Sequence, residues 1–509
     1  MVWNADLKLD PASDAPVYRQ IADAIVAACG DGRLAPGMRL PPTRDLARRL
    51  GVNRNTVVAA YDALAAGGIV TSHTGRGTFV AEPAAAPSPA PVRAEAGDAW
   101  PSGFSRAVEG SALAGLLSAY RVATSSEGIS FAGSYPAAEL MPVERFREAI
   151  DAVLARSGAE VLSYGSTAGC APLREWIAGA MRGRGSDVSA DGILITNGSQ
   201  QALELVFRTL LDRGDPVVVE EPTYTGALSV LGSLGARMVG VALDEEGMRP
   251  DLLAVALERH RPRAIYVQPT IHNPTTRVMS RRRRLDILAL AERHGCAVVE
   301  DDWACDLRFE GEELPALHAL DGGRRVIYLS TFSKKLLPGL RVGWAAAPRP
   351  VLERLVALKQ VADHGSSPLL QAALHEFLRD GGLEEHLARV RPAYRERRDI
   401  MLAALGARFP GGVSWTRPQG GLFLWVTLPE GVDGNDLFVA ARDRNVLFSR
   451  GGLFHSDGSG QGSLRLTYAS VAPARIEAGI AVLGSLIRER LAGDAAGSGP
   501  RAAEALPIL

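Results

Sequence analysis

Two residues in one short segment carry the clearest chemistry in this sequence, Lys334 and Arg341. The segment STFSKKLLPGLRVGW, residues 330–344, follows the apolar run RVIYL, which is typical of a buried strand. A lysine amine is a nucleophile toward carbonyl groups, and an arginine fork binds phosphate or carboxylate through paired hydrogen bonds. The Pro338-Gly339 turn is expected to bring the arginine back toward the same site.

Other polar side chains follow apolar runs elsewhere in the chain. After ILIT comes NGSQQALEL, a turn and a helix N-terminus whose free N–H groups favour a phosphate, although Asn-Gly-Ser is also an ordinary capping sequence. Tyr224 follows PVVVEEP and can stack on a ring, but a core tyrosine is equally consistent with that position. Asn273 follows AIYVQP, and Asp301, Asp302 and Trp303 follow CAVVE.

The apolar runs alternate with helical patterns. Strands are indicated by ILIT, PVVVE, RMVGVAL, AIYVQP, CAVVED, RVIYL and RVGWAAA, and helices by QQALELVFRTLL, DLLAVALERH and RRRRLDILALAERHG. This order predicts an α/β layer fold with a mostly parallel sheet and helices on both faces. Ligands of such folds lie where the strands end, so the polar side chains above are expected to meet there.

One cofactor needs a phosphate site, an aromatic ring, an amide, a carboxylate, a lysine and an arginine together, namely pyridoxal 5′-phosphate (PLP). The amine of Lys334 forms a Schiff base with the PLP aldehyde. A carboxylate keeps the pyridine nitrogen protonated, which makes the ring an electron sink. The Arg341 fork and the helix N-terminus hold the phosphate dianion.

The order and spacing of seven segments closely resemble those of class I aminotransferases across residues 104–490. The segments are FAGSYPAAELMPVERF, YGSTAGCAPLREWIA, EEPTYTGALSVL, HNPT, EDDW, TFSKKLLPGLRVGW and LRLTYA. The resemblance implies the type I fold of PLP-dependent aminotransferases, with a smaller C-terminal α/β subdomain. It makes Lys334 the Schiff-base lysine and Asp301 the partner of the pyridine nitrogen, while Asn273 bonds the ring hydroxyl and Tyr224 stacks on the ring. The residues implied around the phosphate are Ser199, Gln200, Thr331, Ser333 and Arg341.

Two further residues have roles implied by the resemblance, and three depart from simple expectation. Tyr164 resembles the tyrosine that reaches the phosphate of the neighbouring subunit, and Arg465 resembles the arginine that binds a substrate α-carboxylate. Trp303 stands where a tyrosine is usual, and an indole cannot replace a phenol as an acid or base. Thr276 stands where glycine is common. Lys335 competes with Lys334 for the cofactor, but the serine-rich approach and the spacing to Arg341 favour Lys334, so Lys335 is expected to be solvated.

The first 80 residues form a separate small unit. Helical spacing runs through PVYRQIADAIVAACGDGRL, then TRDLARRLG with Thr43 as a candidate N-cap and Gly51 as a stop, then a helix from Asn53. IVTSHTGRGTFVA predicts two short strands around a turn, so the unit is expected to be a winged helix-turn-helix. Residues 31–80 carry seven arginines and three aspartates, a local charge of +4 that suits DNA.

The small unit resembles the GntR-type winged helix throughout residues 15–80. Arg54 and Asn55 are expected at the start of the second helix of the motif, where such side chains read guanine or adenine edges. Arg44 and Arg76 suit phosphate or minor-groove contacts. The resemblance implies that the DNA-facing residues are Arg44, Arg54, Asn55, Thr56 and Arg76.

A winged helix, a linker and an aminotransferase-like domain, in that order, resemble the MocR subfamily of GntR regulators. In that subfamily the PLP domain senses the effector and forms the dimer. The resemblance implies a homodimeric, PLP-dependent transcriptional regulator that binds double-stranded DNA and senses PLP, an amine or an amino acid. The alternative is a working aminotransferase, transferring an amino group between an amino acid and a 2-oxoacid, with a fused DNA-binding domain.

Composition supports this organisation. The Ala/Pro-rich stretch at 81–103 predicts a linker between a DNA-binding domain at 1–80 and a PLP domain at 104–490, and residues 491–509 predict a flexible tail. The four cysteines form no C-x-x-C pair, and the chain shows no signal peptide or membrane span, so a cytoplasmic protein is expected. The RRRR run at 281–284 is expected to be a solvated helix face. No metal is predicted, because His272, His294, His364 and His455 lack metal-ligand spacing.

Overall fold

The computed structural model describes the chain in six ranges, residues 16–30, 34–35, 37–66, 69–73, 77–80 and 128–496. The chain divides into two compact units, Met1–Gly103 and Phe104–Leu509. The linker predicted at 81–103 and the residues after 496 lie outside the described ranges. No helix in the described ranges is long and apolar enough to cross a membrane.

The small unit is a winged helix. Its elements are α1 (Val17–Gly30), α2 (Thr43–Leu50), α3 (Arg54–Ala66), β1 (Val70–His73) and β2 (Gly77–Val80). The two strands pair antiparallel, and the segment before α2 extends this sheet, because Leu40 N donates to Thr78 O at 2.9 Å. The apolar faces of the helices close over one core, which contains Ile21, Ile25, Leu46, Val57 and Leu64.

The helix ends of this unit differ in detail from the predictions. Thr43 is the first residue of α2 rather than its cap, and Pro42 precedes it without a side-chain cap bond, so the Thr43 prediction is wrong. Gly51 ends α2 in the left-handed conformation at φ 66°, as predicted. Helix α3 starts at Arg54, and the side chain of Asn53 caps it by accepting from Asn55 N at 2.9 Å.

The large unit is built on an eight-stranded, mostly parallel sheet, as predicted. In spatial order its strands are β4 (Ile193–Thr196), β11 (Gly343–Ala346), β10 (Val326–Thr331), β9 (Ala297–Asp301), β8 (Ala264–Val267), β5 (Pro216–Glu221), β6 (Arg237–Asp244) and β7 (Gly247–Met248). The five central strands from β10 to β6 run parallel, whereas β11 and β7 pair antiparallel with their neighbours. The carboxyl ends of the parallel strands therefore meet at one edge.

Helices cover both faces of this sheet, and further helices pack against those helices. They are α4 (Val143–Ser157), α5 (Ala171–Gly183), α6 (Ser199–Leu210), α7 (Thr225–Leu234), α8 (Pro250–His260), α9 (Arg281–Arg293), α10 (Leu317–Asp321), α11 (Arg349–Asp363), α12 (Pro368–Arg379) and α13 (Gly382–Arg408). Alternate strand residues enter different cores: Val217 and Val219 pack in one, and Val218 packs in the other. Continuous β-branched runs form these strands because both faces are buried.

A smaller C-terminal subdomain follows α13. It contains an antiparallel sheet of β12 (Ser414–Trp415), β13 (Phe423–Thr427), β16 (Ser463–Thr467) and β15 (Ser449–Arg450). Strand β3 (Ile129–Ser130) pairs with β14 (Val446–Leu447), and the helices are α14 (Gly434–Asp443) and α15 (Pro473–Ala496). The predicted fold class is confirmed, but the tail predicted for 491–509 is wrong for residues 491–496, which are helical.

The arginine run at 281–284 is only partly solvated. Arg283 and Arg284 are buried, and Arg284 donates to the carbonyl oxygens of Met279, Pro269 and Pro315. The prediction of a solvated face is therefore wrong for these two residues, because their guanidinium groups satisfy loop carbonyls inside the fold.

Candidate cofactor site and DNA-binding surface

A cavity of roughly 230 Å³ lies at the carboxyl edge of the sheet, where the predicted side chains were expected to meet. The predicted residues that line it are Ser199, Gln200, Tyr224, Asn273, Asp301, Thr331, Ser333, Lys334, Arg341 and Arg465. Tyr164 is not among them: its side chain is 96% exposed, in a separate groove with Leu162 and Asp363. The structure thus brings together every predicted cofactor and effector residue except Tyr164, whose predicted place is the neighbouring subunit's site.

Lys334 follows β10 and reaches into the cavity. Its Nζ donates to Ser134 O at 2.7 Å and lies 5.5 Å from the centre of the Tyr135 ring. Burial, together with the nearby Arg465 and Arg341, lowers the pKa of this amine to about 8. A larger share of the amine is therefore uncharged near neutral pH than for an exposed lysine, and the uncharged form is the nucleophile.

Asp301 ends β9 and also lines the cavity. Its Oδ2 accepts a hydrogen bond from Tyr266 OH at 2.8 Å, while its buried Oδ1 has no partner among the described residues. Burial raises the pKa of this carboxyl to about 7. A buried acceptor without a donor is costly, and the N–H of a protonated pyridine ring supplies such a donor.

The phosphate side of the cavity is formed by the start of α6 and the segment after β10. Arg341 donates to Ser333 Oγ at 3.4 Å and to Asn197 O at 3.2 Å, and Thr331 Oγ1 donates to Ser333 Oγ at 3.0 Å. Gly198 adopts φ 79°, where other residues are strained, and a Cβ there would lie 2.6 Å from Arg341 Nη2 and displace the guanidinium. Hydroxyls, a guanidinium and a helix N-terminus together suit a phosphate dianion.

A hydrogen-bond network supports this phosphate side from behind. The carboxylate of Asp363 accepts from Asn197 Nδ2 and Gln201 Nε2, each at 2.6 Å, and from Lys359 Nζ at 2.9 Å. Lys359 is fully buried, so Asp363 neutralises a charge in the interior. The same Asp363 lines the groove that holds Tyr164, which connects that groove to the turn before α6.

Asn273 and Arg465 are joined directly. Arg465 Nη1 donates to Asn273 Oδ1 at 2.9 Å, and Arg465 Nη2 donates to Ala132 O at 3.0 Å. The Nε of Arg465 has no partner among the described residues, and burial lowers the pKa of this guanidinium to about 10. A buried, partly unsatisfied guanidinium suits a carboxylate ligand.

The aromatic residues of the cavity have distinct partners. Tyr224 immediately precedes α7, donates to Gln200 Oε1 at 3.3 Å and has a pKa raised to about 12 by burial. Trp303 donates its Nε1 proton to Ile271 O at 2.9 Å and stacks on Phe423 with 5.6 Å between ring centres. The indole N–H is therefore engaged by the backbone, so Trp303 does not take over the hydrogen bond of the usual tyrosine.

Sequence reasoning missed several residues and misplaced one. Tyr266 and Gln268 reach the site from β8 and the residue after it, and the apolar run around them gave no sign of this role. Lys335 is buried and forms an ion pair with Asp306, so the prediction of a solvated Lys335 is wrong. Thr276 adopts the left-handed conformation at φ 58°, where glycine is less strained.

One cluster bears on the prediction of no metal. Glu221, His455 and Asp457 bring one possible ligand atom each within 4.8 Å of one another. The Glu221 carboxylate already accepts from Ser456 N at 2.9 Å. The absence of a metal therefore stays a prediction.

The predicted DNA-facing residues cluster on the small unit. Arg44, Arg54 and Asn55 are exposed, and Thr56 is half-buried on the first turn of α3. Within the described ranges, the side chains of Arg44, Arg54 and Asn55 form no ion pair or hydrogen bond. Arg76 lies outside the described residues. The free side chains at the start of α3 suit base contacts in a major groove.

Comparison with known proteins covers both units. Residues 17–80 match the gntR family of bacterial regulatory proteins, and residues 132–483 match the aminotransferase class I and II family. The chain is 33% identical over 481 residues to the probable rhizopine catabolism regulatory protein MocR of Rhizobium meliloti, covering 93% of this chain and 94% of that protein. The chain belongs to the MocR-type regulators of the GntR family.

The large unit also has close relatives among free-standing enzymes. It is 42% identical over 371 residues to the 2-aminoadipate transaminase of Thermus thermophilus, covering 72% of this chain and 91% of that enzyme. The structure of LysN, an alpha-aminoadipate aminotransferase from Thermus thermophilus complexed with N-(5′-phosphopyridoxyl)-L-leucine, matches with a TM-score of 0.70 and 39% identity, covering 76% of this chain and 98% of that one. PLP is the cofactor of this class, and the cavity of the MocR-type chain fits it: Asp301 offers an unpaired acceptor, Lys334 an amine and Arg341 a phosphate ligand.

The first prediction concerns Lys334. In the cofactor-free MocR-type protein, the rate of PLP capture should rise with pH through a midpoint near 8, because burial lowers the pKa of the Lys334 amine and only its uncharged form attacks a carbonyl. Stopped-flow absorbance measures the rate, and borohydride reduction followed by peptide mass spectrometry identifies the modified residue. Lys334→Ala should abolish covalent capture. A reduced adduct on Lys335, or a midpoint near the ordinary lysine pKa, would contradict the assignment.

The second prediction concerns DNA readout by the winged helix. Arg54→Ala or Asn55→Ala should cost on the order of 1–3 kcal/mol at specific base pairs, because these side chains sit at the start of α3. Arg76→Ala should weaken binding to all sequences to a similar degree. Fluorescence anisotropy with an operator and single-base variants gives the comparison. Arg19→Ala, on the exposed side of α1, serves as the matched control. An equal loss on every sequence from Arg54→Ala would argue against base readout.

Proposed function

We propose that this protein is a transcriptional regulator whose DNA binding responds to an amine or amino acid bound beside Lys334. The observation that carries the proposal is the union, in one chain, of a winged helix with exposed polar side chains at the start of α3 and a cavity lined by Lys334, Asp301 and Arg341. An enzyme has no use for the winged helix, whereas a regulator uses both units. The chain also aligns with a MocR-type regulator over nearly its whole length.

Different residues of the cavity would bind the cofactor and the effector. PLP, when bound, supplies a reactive carbonyl and an electron-withdrawing ring. Arg465 binds the carboxylate of an amino-acid effector, and its unpaired Nε leaves capacity for a second hydrogen bond. Asp301 holds a proton at the ring nitrogen. The Lys334 amine, whose pKa burial lowers to about 8, would hold or release a proton next to the bound cofactor.

The proposed regulator is a homodimer. Tyr164 is almost fully exposed, whereas tyrosine side chains are usually at least partly buried. It lies in the same groove as Asp363, whose hydrogen bonds support the phosphate side of the cavity. A phenol in this position can reach the phosphate of a second copy. This arrangement would complete each site with a residue from the other chain.

The third prediction tests this assembly. The full chain with PLP should sediment as a dimer, and Tyr164→Ala should weaken PLP binding without removing dimerisation, because one phosphate contact is lost while the rest of the interface remains. Analytical ultracentrifugation gives the mass, and absorbance titration gives the PLP affinity. Tyr18→Ala is a suitable control, since Tyr18 is an exposed tyrosine of α1 in the small unit. A PLP-bound monomer would refute the dimer.

A working aminotransferase with a fused DNA-binding domain is the second candidate. It is favoured by the intact set of Lys334, Asp301, Asn273 and Arg465 in one cavity, and by the 42% identity of the large unit to a transaminase. Trp303 argues for slow transamination, because its indole N–H is bound to Ile271 O and no phenol occupies this position.

The fourth prediction separates the two candidates. An effector amino acid should change the DNA affinity or footprint of the PLP-bound protein, because a ligand shifts a conformational equilibrium only through its different affinities for the two states. Lys334→Ala should remove this response and keep basal DNA binding. The measurement pairs DNA binding on the upstream intergenic region with turnover on a panel of amino acids and 2-oxoacids.

The control for this experiment is Arg54→Ala, which should lose specific DNA binding while its PLP spectrum and any turnover stay unchanged. Turnover at ordinary enzyme rates, on the order of 10 per second, with no effector-dependent change in DNA binding would replace the regulator by the enzyme.

A further inference from the structure

A short segment of chain, residues 133–136, lies at the mouth of the cofactor cavity. Ser134 and Tyr135 both line the cavity. Tyr135 is also 45% exposed, so its side chain faces the cavity on one side and solvent on the other. The sequence predictions gave neither residue a role in binding the cofactor or the effector.

The segment is anchored at both of its ends. At the first end, Ala132 O accepts from Arg465 Nη2 at 3.0 Å and from Ser449 Oγ at 2.8 Å. At the second end, Ala137 N donates to Tyr394 OH at 3.2 Å. These bonds fix where the segment enters and leaves the mouth of the cavity.

Between these anchors the segment is held by Lys334. Lys334 Nζ donates to Ser134 O at 2.7 Å, and within the described ranges residues 133–136 form no other hydrogen bond. The two residues expected to meet an amino-acid effector, Lys334 and Arg465, are therefore the same two that contact this segment and its first anchor.

The Tyr135 side chain lies near both of these residues. Its ring centre is 5.5 Å from Lys334 Nζ. Burial lowers the pKa of the Arg465 guanidinium to about 10, and the phenols of Tyr224 and Tyr135 offset part of this effect. An amino acid carries its amine, its carboxylate and its side chain on one carbon atom. With the amine at Lys334 and the carboxylate at Arg465, the side chain starts beside Tyr135.

The position of the Tyr135 ring depends on Gly133. A Cβ at residue 133 would lie 2.5 Å from Tyr135 Cε2, closer than carbon atoms approach without a shift. The ring is therefore folded back against its own backbone, in space that only a glycine leaves open. Because Tyr135 is half-exposed, an added methyl group would move the ring rather than unfold the segment.

The charges of the cavity are all matched to other groups. The charged residues that line it are Asp301, Lys334, Arg341 and Arg465. They correspond to the ring nitrogen, the carbonyl and the phosphate of PLP and to the carboxylate of the effector. No charged lining residue remains for an effector side chain, and a charged group against the Tyr135 ring would lack a partner, which is costly.

A second copy of the chain does not change this balance. The groove that would bring Tyr164 to the neighbouring cavity has no lysine or arginine in its lining. Its one carboxylate, Asp363, already accepts from Asn197, Gln201 and Lys359. The dimer proposed above therefore adds no free charge for an effector side chain.

We propose that Tyr135 determines which effector binds, and that the effector is an amino acid with an uncharged, apolar side chain packed against the Tyr135 ring. This inference rests on the proposed function, because it places the effector amine at Lys334 and its carboxylate at Arg465. It adds the class of side chain and the residue that selects it.

Four amino acids test the class of side chain on the full chain with PLP bound. L-Methionine, L-glutamate and L-arginine have long side chains that are neutral, negative and positive, and L-alanine has almost no side chain. Titration followed by the visible absorbance of the bound cofactor gives each dissociation constant. Methionine should bind more tightly than glutamate or arginine by roughly tenfold or more, because each charged side chain would be left unpaired.

Three variants test the role of Tyr135. Tyr135→Ala should weaken methionine binding by roughly fivefold and leave alanine binding unchanged, because the side chain of alanine is too short to reach the ring. Tyr135→Phe keeps the ring and should keep the preference for methionine. Gly133→Ala moves the ring without altering Tyr135 and should reduce the same preference. Tyr18→Ala, an exposed tyrosine of the small unit, is the matched control and should bind all four amino acids normally.

DNA affinity measured on the same samples separates this inference from the proposed function. A cofactor spectrum that responds selectively to methionine, with unchanged DNA binding, would refute the regulator and support the role of Tyr135. Glutamate or arginine binding as tightly as methionine, or an equal loss of methionine and alanine binding in Tyr135→Ala, would refute the role of Tyr135 even if DNA binding responds. Absence of a spectral response to every amino acid would overturn both.

Discussion

The buried carboxylate of Asp301 imposes the constraint that the cofactor cavity has to meet. Water is largely excluded from it, and burial raises its pKa to about 7, so it needs donors on both oxygens to be stable as an anion. Tyr266 supplies one of them because β8 and β9 pair in parallel with Tyr266 opposite Val299. On a strand, Val299 and Asp301 share a face, so the register brings the phenol to the carboxylate. The N–H of a protonated pyridine ring would supply the second donor, to Oδ1.

Residues that follow strands could be predicted from the sequence, whereas residues whose partners are distant in sequence could not. Lys334, Asp301 and Asn273 were predictable because each lies within five residues of the end of an apolar run, and parallel strands bring such positions together. Tyr266 was not, because a tyrosine inside a buried strand gives no sign of where its hydroxyl lies. Lys335 was misjudged for a related reason: its partner Asp306 lies 29 residues earlier, and no local pattern joins them.

Fine features of the helices depended on contacts that sequence spacing does not report. Arg284 looked like part of a solvated run, yet three loop carbonyls take up its guanidinium inside the fold. Helix α3 has a side-chain cap from Asn53. Helix α2 has no side-chain cap, because the residue that precedes it is Pro42 and Thr43 is already its first residue. Periodicity thus located the elements, while their ends and buried charges were decided by tertiary partners.

A hydrogen bond between Asn273 and Arg465 links the expected cofactor position to the expected effector position. Arg465 Nη1 holds Asn273 Oδ1, which leaves the Asn273 amide N–H₂ to face the ring hydroxyl that the family resemblance assigns to it. In the proposed regulator, an effector carboxylate bound to Arg465 would share the guanidinium with Asn273 Oδ1 and so alter the hold on Asn273. Trp303 cannot compensate, because its N–H is committed to Ile271 O. In a chain with the usual tyrosine at this position, the phenol would be a second hydrogen-bond partner of the ring hydroxyl. In the regulator proposed above, the hydroxyl would depend on Asn273, so effector binding at Arg465 would act directly on the cofactor ring.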